Sequence, residues 1–292
     1  AAWKNLADAT AAKGDNDGAL ADFNRAIDID PKLADAWHDR GAVRSQKGDL
    51  EGAIADLSRA VEIDPKNAKT LYERGMLRKA HGEIEGAVAD FSRVIELNPK
   101  NDSPYLGRAA AKSGLNDLDG AIADYGRALE LNPKLARAHF SRGVAHYRQQ
   151  HWQEAVADFD ADARQEKPEE YGALLACVVR TRMGQGEAAR KELHAWLEKR
   201  GDAKRDGWVS KLGSFMLGTL DEAALLKAAD SPDAKKTNGQ RCEAWSYAGM
   251  QRLAAGQKAE AGDCFRKCVA TEQKAFTEYT LASAELKWLG EK

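Results

Sequence analysis

Along the first half of the chain, small and apolar positions return in a fixed order, separated by polar positions and closed by a proline. Gly18 to Pro31 reads Gly-Ala-Leu-Ala-Asp-Phe-Asn-Arg-Ala-Ile-Asp-Ile-Asp-Pro, and Gly52 to Pro65 reads Gly-Ala-Ile-Ala-Asp-Leu-Ser-Arg-Ala-Val-Glu-Ile-Asp-Pro. Gly86 to Pro99 and Gly120 to Pro133 repeat the pattern, so Pro31, Pro65, Pro99 and Pro133 stand at equal intervals. Upstream of each block lies a large residue followed by a small one, as at Trp37 and Gly41, Leu71 and Gly75, and Tyr105 and Ala109. Within the blocks a small residue precedes a bulky one: Ala53 and Leu57, Ala87 and Phe91, Ala121 and Tyr125. This order predicts helical hairpins. Small residues let paired helices approach, and the bulky residue fills the gap toward the next hairpin. Proline cannot continue a helix and so parts one hairpin from the next. Gly14, Gly48 and Gly82 fall at the turn inside the hairpin, where a positive φ is often needed.

A 34-residue period with this signature resembles the tetratricopeptide repeat (TPR). The resemblance implies an all-α fold, a helix-turn-helix solenoid wound as a right-handed superhelix, with degenerate C-terminal repeats and a capping helix. Five units are expected in residues 1–169, at 1–33, 34–67, 68–101, 102–135 and 136–169. The first enters at Trp3; the fifth has His139, Gly143, Ala155 and Phe159, with Pro168 one residue late. Residues 170–238 are expected to be degenerate hairpins. Tyr171 to Lys199 forms one, turning at Gly184 and Gly186, and Asp202 to Asp230 a weaker one around Trp208, Leu212 and Phe215. Ser231 to Gly239 reads as a polar loop. Residues 239–292 should hold a final unit, carried by Trp245, Gly249, Gly256, Ala261, Phe265 and Cys268. A last helix over Phe276 to Leu289 should then cap the stack.

The tail carries a second resemblance. After Phe215-Met216-Leu217-Gly218 come Glu243-Ala-Trp-Ser-Tyr-Ala-Gly249, Ala261-Gly-Asp-Cys-Phe265 and Phe276-Thr-Glu-Tyr279. This order is similar to the C-terminal half of bacterial envelope TPR proteins of the NlpI lipoprotein type. The resemblance implies an adaptor that docks proteases or cell-wall enzymes, often dimerises, and works in the periplasm rather than the cytoplasm. The lipid-bearing cysteine of that family has no counterpart here, which puts membrane anchoring in doubt. Ala1 to Leu6 reads as a helix already under way, so the natural start is expected to lie upstream.

Composition narrows the chemistry. The 292 residues carry a net charge of -2, with both signs interspersed. Without a long basic run, neither nucleic acid nor an anionic membrane is an expected partner. No stretch is apolar and long enough to insert in a bilayer. Cys177, Cys242, Cys264 and Cys268 read as packed thiols, because free cysteine behaves as a small buried hydrophobe. Cys264 and Cys268 lie one helical turn apart without a histidine at ligand spacing, and His139, His146 and His151 lack matched carboxylate or thiolate ligands. A metal site is therefore not expected. Neither a glycine-rich phosphate loop nor a nucleophile elbow is present, so the expectation is a non-enzymatic protein without cofactors.

Two charge ladders keep the period: Arg40, Arg74, Arg108 and Arg142 on the first helices, and Asp22, Asp56, Asp90, Asp124 and Asp158 on the second. They read first as structural pairs, since a guanidinium near the core needs a carboxylate partner. The alternative is a stripe for acidic ligands. In a TPR solenoid the first helices line the concave face. Their outward positions make the expected partner groove an apolar stripe of Tyr72, Met76, Leu106 and Phe140, with Tyr147 beside it, edged by Lys69, Arg137 and Arg148. Such a stripe suits a peptide or protein partner. The carboxylate clamp of chaperone-binding TPR domains is not expected. Lys4 and Lys69 match it, but Asp8, Asp39 and Glu73 replace its other members and would repel a terminal carboxylate. Two alternatives stay open: a scaffold whose concave face is filled by its own chain or a homodimer, and the TPR portion of a larger protein.

Overall fold

The computed structural model describes residues 2–199 and 207–290, and every element among them is helical. The chain divides into two compact units, Ala1–Pro133 and Lys134–Lys292, so the fifth repeat lies in the second unit.

The first unit holds four hairpins. They are α1 (Ala2–Ala12) with α2 (Asn16–Ile29), α3 (Ala34–Gln46) with α4 (Leu50–Ile63), α5 (Ala68–His81) with α6 (Ile84–Leu97), and α7 (Ser103–Gly114) with α8 (Leu118–Leu131). The start of each second helix is set locally. Asp15, Asp49 and Asp117 accept the backbone N–H of Gly18, Gly52 and Gly120, satisfying a donor that the helix start would leave orphaned. A Cβ on Gly52 would stand 2.2 Å from Asp49 Oδ2, so the small residue at this point preserves the cap. Packing between hairpins follows the large–small alternation. The Phe91 ring is wedged where a Cβ at Gly75 or Gly107 would come within 3.0 or 2.8 Å of it. One aromatic thus joins α6 to both α5 and α7.

The second unit continues with α9 (Ala136–Arg148) and α10 (Trp152–Ala163), then α11 (Gly172–Arg182) and α12 (Gly186–Lys199). The shorter α13 (Trp208–Met216) and α14 (Glu222–Ala228) follow; the Asp202 start expected for this hairpin lies outside the described residues. The 21-residue α15 (Ala234–Ala254), α16 (Lys258–Val269) and the final α17 (Thr277–Trp288) complete it. Phe159 against Gly143 and Phe265 against Gly249 repeat the aromatic wedge.

The expected polar loop at Ser231 to Gly239 is corrected: α15 is already helical from Ala234. Asp233 accepts the N–H groups of Lys235 and Lys236, a carboxylate cap that outweighs the polar composition. Gly239 is packed under Phe276, where a Cβ would come within 2.8 Å of the ring.

The turn inside each hairpin keeps its register beyond the prolines. Positive φ occurs at Gly14, Gly48, Gly82, Asn116, Gln150, Gly184 and Gly218, each separated from the last by the interval that the prolines keep. Asn tolerates this left-handed conformation locally; Gln150 adopts it without that advantage. The step from Gly218 to Gly256 is longer, and the step from Gly256 to Gly290 restores the earlier interval. The extra length falls in the span that holds α14 and the long α15.

Candidate functional site

Four of the five ladder aspartates meet the ladder arginines as pairs; Asp22 instead accepts from Arg25 on its own helix at 3.2 Å. Asp56, Asp90, Asp124 and Asp158 each accept two hydrogen bonds from the ladder arginine on the first helix of the same hairpin. Distances are 2.9 and 2.7 Å for Arg40, 2.9 and 2.5 Å for Arg74, 2.8 and 2.6 Å for Arg108, and 2.9 and 2.7 Å for Arg142. A second cation one turn further binds the same carboxylate in three repeats: Arg44 at 2.9 Å, Arg78 at 2.8 Å and Lys112 at 2.8 Å. In the fifth repeat this position is His146, 3.9 Å from Asp158, and burial holds the imidazole below its ordinary pKa while Asp158 opposes the shift. The ladders therefore tie the two helices of a hairpin together. Arg40 also reaches Asn24, and Arg108 reaches Ser92, in the preceding repeat.

On the first helices of the first unit, chemistry changes along the repeats. Residues at one repeat position, Lys4, His38, Tyr72 and Leu106, pass from charged to apolar. At the charged end the groups satisfy one another. Lys4 binds Asp8 at 2.9 Å and Asp39 at 2.7 Å, and His38, buried, lies 3.0 Å from Thr70 and 3.4 Å from Glu73. At the apolar end Tyr72 is half-buried with its ring 5.6 Å from Phe91, Leu106 is half-buried, and Met76 is 38% exposed. Lys69 is exposed and only 3.9 Å from Glu73. α5 packs directly against α7, which places Tyr72, Met76 and Leu106 on adjoining helices.

In the second unit the C-terminal end of α9 is covered. Arg137 is exposed, Phe140 is half-buried with its ring 5.9 Å from Phe159, and Arg148 is half-buried. Tyr147, expected in the groove, is fully buried. α17 packs on α9. The Tyr147 hydroxyl donates to Glu285 at 2.5 Å, and the Trp152 and Trp288 rings lie 5.2 and 5.9 Å from its own. Arg182 binds the same Glu285 oxygen and sits over the Trp152 and Trp288 rings at 4.6 and 5.5 Å. Glu285 itself has no solvent exposure. The correction has a simple cause: a residue 138 positions away supplies Tyr147's partner, and helical periodicity carries no information about that.

Sequence reasoning also missed a cavity of about 460 Å³ in the second unit. Tyr171, Trp208 and Phe276 form apolar walls, Glu243 lies among them, and Lys235 and Lys236 stand at its edge. The Glu243 carboxylate accepts from Tyr171 Oη at 3.1 and 3.2 Å and from Trp208 Nε1. Burial raises the Glu243 carboxyl well above the ordinary range, although these two donors pull it back. Deeper in, burial and then the neighbouring Glu243 charge raise Glu278 as well. Nothing in sequence spacing joins Tyr171 to Glu243. Among the described residues no group of histidine, cysteine and acidic side chains is arranged to hold a metal ion, and no helix is long and apolar enough to cross a membrane.

The chain carries tetratricopeptide repeats. Residues 6–71 and 68–101 match models described as tetratricopeptide repeat, and 114–150 one described as TPR repeat. None of these matches extends into the C-terminal third. No curated protein matches the chain. Among solved structures, a tetratricopeptide repeat protein from Parabacteroides merdae is 18% identical over 97% of both chains, with a TM-score of 0.58. MamA is 26% identical over 53% of this chain and 91% of its own, with a TM-score of 0.52. YrrB, described as a TPR protein with an unusual peptide-binding site, is 22% identical over 62% of this chain and 93% of its own, with a TM-score of 0.52.

Proposed function

We propose that this chain is a non-catalytic adaptor whose first unit binds a peptide or helix of a partner protein across α5 and α7. The observation that carries the reading is Met76. It is a large, adaptable apolar side chain left 38% exposed, beside the partly exposed Tyr72 and Leu106. Covering these residues with a partner's apolar side chain would remove their surfaces from water, the usual energetic centre of a peptide interface. Methionine repacks readily around irregular ligands. An acidic residue beside that anchor would meet Lys69. The arginine–aspartate ladder supports the same division of labour. Its charges are consumed between helices, so the binding surface is the apolar end of the first-helix face and not an arginine stripe. Tyr147 plays no part in it, and Arg137 and Phe140 hold the equivalent edge and apolar positions of the fifth repeat.

The fold neighbours support protein binding as a class, and YrrB's described peptide-binding site makes the repeat surface the first place to test. An envelope adaptor of the NlpI type is the finer form of this proposal. The deciding experiment is affinity capture from a cell extract with the wild-type chain and with Met76→Asp, alongside circular dichroism and light scattering. Defined partners held by the wild type and lost by a folded variant support the reading. If the variant keeps the same partners, or the wild type keeps none, the assignment fails. A dimer that becomes a monomer on Met76→Asp would make the face a self-association surface instead.

A further inference from the structure

We propose that Cys242 and Cys268 form an intramolecular disulfide under oxidising conditions, stapling α15 to α16. Their sulfurs lie 3.2 Å apart, in full burial, on two helices packed directly against each other. Closing that contact to a bond of about 2.05 Å moves each sulfur by roughly 0.6 Å, well within side-chain adjustment. The other two thiols are engaged elsewhere. Cys264, one turn before Cys268, faces Arg252 at 2.9 Å. Cys177 lines a separate cavity with Met216 and Met250.

The pair is also chemically ordered. The hydrogen bond between the two sulfurs favours the Cys242 thiolate, the nucleophilic form. The same contact, with burial, raises the Cys268 thiol. The co-reactant is a small-molecule disulfide such as oxidised glutathione. Cys242 thiolate attacks one of its sulfurs and releases one glutathione thiolate, giving a mixed disulfide. Cys268 then gives its proton to solvent and attacks the Cys242 sulfur, releasing the second glutathione. Two protein thiols are oxidised and one disulfide is reduced to two thiols. Because both sulfurs are buried, exchange proceeds in the folding or locally opened chain and the folded packing then protects the product. Cross-linking positions 26 residues apart restricts the unfolded chain and so stabilises the folded one. Glu243, the residue after Cys242, lines the aromatic cavity, so the staple also holds that wall in register.

The test refolds the full chain from urea in a buffer of oxidised and reduced glutathione. Trypsin separates Cys242 on residues 242–252, Cys264 on 259–266 and Cys268 on 268–274. The expected result is a mass loss of about 2 Da, linkage of the 242–252 and 268–274 peptides, and a melting midpoint raised by on the order of 5–10 °C. Cys177→Ser/Cys264→Ser should reproduce all three, and Cys242→Ser/Cys268→Ser should show none. If that second variant does not fold, peptide linkage in the wild type decides. The proposal is overturned if both thiols remain titratable after denaturation, if only glutathione adducts form, or if another peptide pair is linked.

Discussion

The first unit leaves the apolar end of its first-helix face exposed, whereas the second lays its final helix over the C-terminal end of α9. Both are built from the same hairpin, with an aromatic wedge against glycine and an aspartate held by arginine. The difference lies in where buried acids find partners. In the first unit Asp56, Asp90 and Asp124 are each gripped by two cations from the same hairpin. In the second, Glu243 and Glu278 are met by tyrosine and tryptophan donors, and Glu285 by Tyr147 and Arg182 from distant repeats. Local satisfaction ties a hairpin to itself. Distant satisfaction ties helices of different repeats together.

The largest expected effect comes from breaking local satisfaction. Asp90→Ala strands Arg74 and Arg78 beside the core and should cost about 3–5 kcal/mol, read as a lowered urea midpoint by circular dichroism. A loss below about 1 kcal/mol would mean that the guanidiniums reach water without cost, as at a surface pair, and the ladder would not be what holds the hairpins.

Breaking distant satisfaction should cost somewhat less and do something different. Glu285→Ala removes the acceptor shared by Tyr147 and Arg182. Arg182 keeps 26% side-chain exposure, so solvent recovers part of the loss, and about 3 kcal/mol is expected. The variant should also speed amide exchange in α17 and bind a hydrophobic dye as the face of α9 opens. Unchanged exchange there would show that the tryptophan packing alone holds the helix.

These two regions were unequally legible in sequence. The repeat spacing, the hairpins and the arginine–aspartate pairing follow from short-range pattern, because both partners lie within one hairpin and recur with it. The persistence of the turn register through Asn116, Gln150, Gly184 and Gly218 was harder to see. Two of these are not glycine, and the prolines that mark the earlier repeats stop keeping time. The helix start at Ala234 was hidden by polar composition, although Asp233 supplies its cap. The covering of Tyr147 by Glu285 and Trp288 was not legible at all. It depends on how the last helix returns across its unit, and no local pattern encodes that return.

A smaller effect separates the regions by pH. In Glu278, burial and then the Glu243 charge raise the folded-state pKa above the ordinary value near 4.5. A raised acid holds a proton in the folded state that the unfolded chain has already lost. Its contribution is therefore fully present below the unfolded value and is lost as pH rises through the folded one. Burial also raises Asp162, to about 6, adding a loss in the same direction between its ordinary value and 6. Stability of the second unit should thus decline from mildly acid to neutral pH, and Glu278→Gln should flatten that slope. A slope that survives the substitution would assign the decline to Glu243 or Asp162.

The smallest expected change in stability is the most informative about function. Met76→Asp alters a side chain that is already 38% exposed, so the new carboxylate is solvated, and the cost should stay within about 0.5 kcal/mol. Tyr147→Phe, at the fully buried position of the other face, removes a donor to Glu285 and should cost about 1 kcal/mol. The two variants thus separate a surface kept for a partner from one already used by the chain. If Met76→Asp proved the more damaging of the two, its side chain would be part of the packing between α5 and α7. The exposed stripe would then be a consequence of helix spacing, with no binding energy held in reserve.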